Sequence, residues 1–193
     1  MKRTALQPFL WLTVLVGCSG LLTATPQPVR GQTHSPVLLA QRSNQLEEAK
    51  RLSQQVLQLY QQGKYNEAIP IAKRVLEMYK KLLGPEHPSV TSSLNNLAEL
   101  YRSQGRYGEA EPLYKQALEM TRKLLGPEHP DVATSLNNLA GLYRSQGRYE
   151  EAKPLLKQAL EMRQKLLGPE HPKTQTFSRN LQRCLQRQGS QSE

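Results

Sequence analysis

Aromatic residues are scarce in this chain, at 6% of 193 residues, with one tryptophan and two phenylalanines. A single large globular core is hard to build from so few. Two cysteines are too few for a disulfide-stapled framework. Apolar residues make up only 37% and the mean hydropathy is −0.63, which excludes a polytopic membrane protein. No Ser/His/Asp set, phosphate-binding glycine loop, His-Glu-x-x-His or paired zinc-ligand motif occurs. The residues therefore support neither an enzyme nor a bound cofactor or metal. Acidic residues are also in deficit, 16 against 26 basic, for a formal charge of +10. That balance invites a nucleic-acid reading, but its distribution argues against one. Residues 1–44 carry +4, residues 45–172 carry +3 from 18 basic and 15 acidic groups, and residues 173–193 carry +3. The long middle is nearly neutral, and no nucleic-acid partner is expected.

The basic start, Met1-Lys2-Arg3, precedes an apolar run from Phe9 to about Leu22. This is the layout of a secretory signal, and the run falls short of the ~18–20 residues that span a bilayer. Within it, Leu15-Val16-Gly17-Cys18 resembles the lipobox of bacterial lipoproteins, whose cysteine is lipidated. Lipidation of Cys18 would anchor the protein to a membrane without spanning it. The alternatives are an ordinary signal cleaved further on, or an uncleaved leader that tethers the chain. Residues 1–22 are accordingly read as a signal peptide and the protein as exported: periplasmic, lipid-anchored or secreted. Residues 23–44, rich in Thr, Pro, Gln and Ser, read as a flexible linker.

The main signal is repetition. Gly-Pro-Glu-His-Pro occurs at 84–88, 126–130 and 168–172, in steps of 42. Residues 84–125 and 126–167 are identical at 33 of 42 positions. Each unit holds two helical patterns. Val90, Leu94, Leu97, Ala98 and Tyr101 form one stripe of period 3.6; Ala110, Leu113, Tyr114, Ala117, Leu118 and Thr121 form another. Gly105 divides the two, Gly126 closes the second, and Pro130 opens the next. Pro70, Pro112 and Pro154 lie a turn inside each second helix, so that helix either starts late or bends. One helix pair cannot bury its own stripe, so the pairs must stack. The pattern predicts three pairs (about 46–82, 89–125 and 131–167) within residues 45–172, a capping helix or partial fourth repeat over 173–188, and a disordered tail at 189–193. Ser178 and Gln182, in place of Leu136 and Ala140, suit a solvated cap.

Leu97, Ala98, Tyr101, Gly105, Tyr107, Ala110, Tyr114 and Ala117 match the pattern of the tetratricopeptide repeat. The 42-residue period with Leu-Asn-Asn-Leu-Ala resembles the longer variety found in kinesin light chain and in many bacterial proteins. The resemblance implies an all-α, right-handed superhelical solenoid whose first helices line a concave groove for a peptide or protein. The adjacent pairs Asn95-Asn96 and Asn137-Asn138 stand out, since asparagine is a poor helix-interior residue. On a groove, such amides both donate to and accept from an extended peptide backbone; the alternative is that one of each pair fixes helix stacking. Asn180 falls at the phase of Asn138. Arg102 and Arg144, with Arg179 and Arg183 on the last helix, would suit an acidic or C-terminal carboxylate ligand. Arg179, Arg183 and Arg187 form a basic strip. His87, His129 and His171, a repeat apart, are too distant to share one ion and read as loop or capping residues. Cys184 falls at an apolar phase and reads as a buried thiol. The expected protein is a non-enzymatic protein- or peptide-binding scaffold; the alternative is a structural repeat module that self-associates end to end.

Overall fold

Proline and glycine set the limits of the helices. In a computed structural model, which describes residues 36–189, the chain forms α1 (Pro36–Gln61), α2 (Tyr65–Leu83), α3 (Pro88–Ser103), α4 (Tyr107–Leu125), α5 (Pro130–Ser145), α6 (Tyr149–Leu167) and α7 (Pro172–Gly189). No strand occurs among the described residues. Pro88, Pro130 and Pro172 each open a first helix, where a missing N–H costs no bond. The histidine before each proline caps that helix. Nδ1 of His87, His129 and His171 accepts the backbone N–H of Ser89, Asp131 and Lys173 at 3.1, 3.2 and 3.1 Å. Gly105 turns the chain between α3 and α4 with φ 72°, and Gly126 ends α4 with φ 87°, both in the region that costs an L side chain energy.

The second helices start at Tyr65, Tyr107 and Tyr149, five residues ahead of Pro70, Pro112 and Pro154. A late start is thereby excluded, and each proline sits inside its helix. The carbonyls left without a helical donor belong to Asn66, Gly108 and Glu150, which are exposed, so water can serve them.

Both expected stripes are internal. Val90, Leu94, Leu97, Ala98, Tyr101, Ala110, Tyr114, Ala117, Leu118 and Thr121 are buried, and Leu113 is partly buried. Their counterparts Leu136, Ala140, Leu142, Ala152, Leu156 and Ala159 have no exposure. Alanines at 98, 110, 140 and 152 let paired helices approach closely. One buried cluster runs from Ala49 in α1 to Cys184 in α7, so each pair buries its stripe against the next. Each buried leucine contributes about 1.5–3 kcal/mol before entropy.

The two ends of the array differ in how they meet expectation. Composition carries the linker to residue 44, yet Pro36–Asn44 belong to α1. Leu38, Leu39 and Ala40 are competent helix formers, and the extension is tied down by Arg42, whose Nη2 donates to the Leu82 carbonyl at 2.9 Å. That carbonyl lies in the last turn of α2 and has no helical donor. The last helix, α7, buries Thr174, Phe177 and Cys184, while Ser178 is partly exposed and Gln182 exposed. The expected signal peptide with Cys18 and residues 23–35 of the expected linker lie outside the described residues, as do residues 190–193 of the expected tail, whose first residue, Gly189, belongs to α7.

Candidate functional site

The first helices α3, α5 and α7 share one face, and a hollow of about 470 Å³ opens across it. Its wall comprises Glu99 and Arg102 of α3, Asn137, Asn138, Gly141, Arg144 and Ser145 of α5, Tyr149 of α6, and Asn180 and Arg187 of α7. Five residues that the sequence assigns to a groove meet here, Arg102, Asn137, Asn138, Arg144 and Asn180, together with Arg187 of the basic strip. Asn180 Nδ2 donates to Asn137 Oδ1 at 2.8 Å, which joins the capping helix to the one before it. A second hollow of about 420 Å³ continues past Arg144 and Arg187 to Arg183 and Gln186. On the opposite side of Glu99 lies a smaller apolar recess of about 180 Å³, between Val56, Leu57 and Tyr60 of α1 and Asn96 and Leu100 of α3.

Glu99 organises the α1–α3–α4 junction. Its carboxylate accepts from Tyr60 Oη at 2.9 Å, Arg102 Nε at 2.9 Å and Tyr114 Oη at 2.6 Å. Arg102 also reaches across to α5, donating to Ser145 Oγ at 3.0 Å. Burial pushes the Glu99 carboxyl upward, but the hydrogen bonds from Arg102 and Tyr114 outweigh it and leave the group below its ordinary range. Burial and the same carboxylate push the Tyr114 phenol far up. At physiological pH the cluster is therefore one carboxylate, one guanidinium and two neutral phenols.

Arg144 stands at the register of Arg102, one 42-residue step on. No described residue forms a hydrogen bond or ion pair with its side chain, and the same holds for Arg183 and Arg187. Among the described residues, Arg144 and Arg187 in the hollow and Arg183 beside it are therefore three cations without a hydrogen-bond or ion-pair partner.

Matches to the tetratricopeptide repeat model cover residues 58–123, 91–165 and 131–193. The chain belongs to the tetratricopeptide repeat family. No curated protein is significantly similar in sequence. Among solved structures, a candidate kinesin light chain from Podosopora anserina, with nearly identical TPR-like repeats, is 32% identical. The match covers 78% of this chain and 68% of that one, with a TM-score of 0.62. A single-residue variant of that protein matches at 31% identity over the same shares and with the same TM-score. BtubC (BKLC) from P. vanneervenii shares the fold at a TM-score of 0.60 and 24% identity, over 76% of this chain and 63% of that one.

The tetratricopeptide scaffold separates the remaining singled-out residues. Asn95 and Asn96, adjacent in α3, point apart because neighbours on a helix are ~100° apart. Asn96 lines the apolar recess beside α1. Asn95 lines a different hollow of about 250 Å³, with Thr91, Thr121 and Ser135. There its Nδ2 donates to the Thr91 carbonyl at 3.2 Å, and its buried Oδ1 has no partner. Arg179 borders a hollow between α6 and α7 with Leu160, Gln164 and Gln182, and donates to Thr176 on its own helix at 3.3 Å. It is not brought together with Arg144. Among the described residues no three His, Cys, Asp or Glu side chains converge to hold a metal.

Glu99, Gly141, Ser145, Tyr149 and Arg187 also line the groove, beyond the residues that the sequence assigns to it. Glu99 and Gly141 carry a signal that could have found them: they form one of nine positions where the second and third repeats differ.

Proposed function

We propose that this tetratricopeptide array is a non-catalytic scaffold that binds a peptide or a protein segment along the face of α3, α5 and α7, and that the bound segment is acidic. The observation that carries the reading is the hollow of about 470 Å³, whose cations Arg144 and Arg187 have no hydrogen-bond or ion-pair partner among the described residues. Guanidinium groups favour carboxylates, which they bind through paired N–H donors. Asn137, Asn138 and Asn180 add amide donors and acceptors suited to a peptide backbone. The test is a peptide array probed with the purified chain and with the Asn138→Ala, Arg144→Ala double variant. Selective retention of acidic peptides, weakened in the variant, supports the groove. Unchanged affinity in the variant sinks it.

The leader extends the proposal. Lys2, Arg3, the apolar run to Leu22 and Cys18 support an exported bacterial scaffold held to a membrane by lipid. Fatty-acid labelling of the wild type but not of Cys18→Ser is the expected result; equal labelling, or none in either, rejects the lipid anchor.

A further inference from the structure

We propose that the third repeat holds a subsite for a ligand carboxylate at the place where the second repeat carries its own, Glu99. This deepens the groove reading above and rests on it. The 42-residue step maps Glu99 onto Gly141 and maps its three donors as well: Tyr60 onto Arg102, Arg102 onto Arg144, and Tyr114 onto Leu156. In the second repeat two phenols and one guanidinium surround a carboxylate. In the third, the carboxylate is deleted while two guanidiniums flank its position.

The space is open. Gly141, Arg102 and Arg144 all line the same hollow, and a Cβ built on Gly141 would meet nothing within 4 Å. Arg144 lacks the carboxylate three residues back that Arg102 uses. The guanidinium of Arg102 already touches α5 through Ser145, so it faces the third repeat as well as the second. Asn180 uses one amide hydrogen on Asn137 and retains a second for an incoming acceptor.

Charge along the groove selects this position over its neighbours. One register runs Leu57, Glu99, Gly141, Arg183 from α1 to α7: apolar, acidic, open and basic. A carboxylate entering the groove is repelled by Glu99 on one side and drawn by Arg183 and Arg187 on the other. It settles beside Gly141, where Arg144 supplies the uncommitted charge and Arg102, already paired with Glu99, offers its remaining N–H donors.

The test is an NMR titration of the full chain with acetyl-(Ala-Ala-Glu)3-amide and with its glutamine counterpart, capped and with a free C-terminal carboxylate. The Gly141 amide and Arg144 Nε–H signals should shift saturably with the glutamate peptide and at least fivefold more weakly with the capped glutamine peptide. If the uncapped glutamine peptide recovers the shift, a terminal carboxylate is the source; if it does not, a side chain is. Gly141→Ala should keep binding. Gly141→Glu should weaken it at least tenfold and, without ligand, move the Arg144 Nε–H signal toward that of Arg102, because the new side chain takes the seat. Equal response to glutamate and glutamine, or wild-type binding by Gly141→Glu, overturns the subsite. Shifts at Leu57 and Asn96 without any at Gly141 or Arg144 overturn it while leaving the groove standing. Silence across all groove signals removes both.

Discussion

Tyr114 on α4 donates its phenol hydrogen to Glu99 on α3 across 2.6 Å, and the two change together between repeats. Where Glu99 becomes Gly141, Tyr114 becomes Leu156. Without the carboxylate a buried phenol would lack a partner, which costs about 1–3 kcal/mol; leucine avoids that. The converse holds in the second repeat. Tyr114→Phe removes one of three donors from a half-buried carboxylate, and bonds to charged groups are worth ~1.5–3 kcal/mol. Glu99 keeps Tyr60 and Arg102, so the lower end of that range, ~1.5 kcal/mol, is expected in urea unfolding. An unchanged midpoint would mean that the bond contributes nothing net.

A second carboxylate predicts an acid response. Glu111 is held down to about 2 chiefly by Lys115, against some burial, with Arg148 and Tyr143 assisting. Arg148 Nη1 stands 2.8 Å from its Oε2, and Tyr143 Oη donates to its Oε1 at 3.1 Å, so the group ties α4 to α5 and to the turn before α6. A carboxyl depressed from an ordinary 4.5 stabilises the fold above that value, and the contribution fades as pH falls toward 2. Glu111→Gln should therefore melt below the wild type at pH 7, with the gap narrowing between about pH 4.5 and 2. A gap of constant size across that range would contradict the assignment.

Proline and glycine carry their backbone preferences wherever they stand, so the punctuation of the array is legible in the sequence: Pro88, Pro130 and Pro172 open α3, α5 and α7, and Gly84, Gly126 and Gly168 follow the ends of α2, α4 and α6. The α1 extension was not legible. Val37, Leu38 and Leu39 are exposed and show no periodicity, and the contact from Arg42 to Leu82 spans 40 residues. The Glu99 cluster was hidden for the same reason, its phenols lying 39 and 15 residues away. Identity of residue type at Asn95 and Asn96 gave no clue that the two would part onto different hollows; helical phase did, and it separates any adjacent pair.

The histidine caps make a stability prediction separate from the groove. Replacing an N-cap acceptor by alanine costs about 0.5–2 kcal/mol. His87→Ala and His129→Ala should each fall in that range, while His87→Asn, which restores a short side-chain acceptor, should recover most of the loss. Thermal unfolding measures both. Equal destabilisation by alanine and asparagine would show that the imidazole acts through packing and not through the bond from the Ser89 N–H to Nδ1.

Gly141 separates binding from stability. It lies inside α5, where glycine costs a helix about 1 kcal/mol relative to alanine, and an added Cβ would meet nothing within 4 Å. Gly141→Ala should therefore raise stability by about 0.5–1 kcal/mol, read as a higher urea midpoint with the slope unchanged. A glycine retained at that expense inside a helix, in a repeat otherwise nearly a copy of its neighbour, is consistent with the open space being used. Loss of stability in the alanine variant would show instead that the α5 backbone needs a glycine there, and the opening beside Arg144 would then be a by-product of that need.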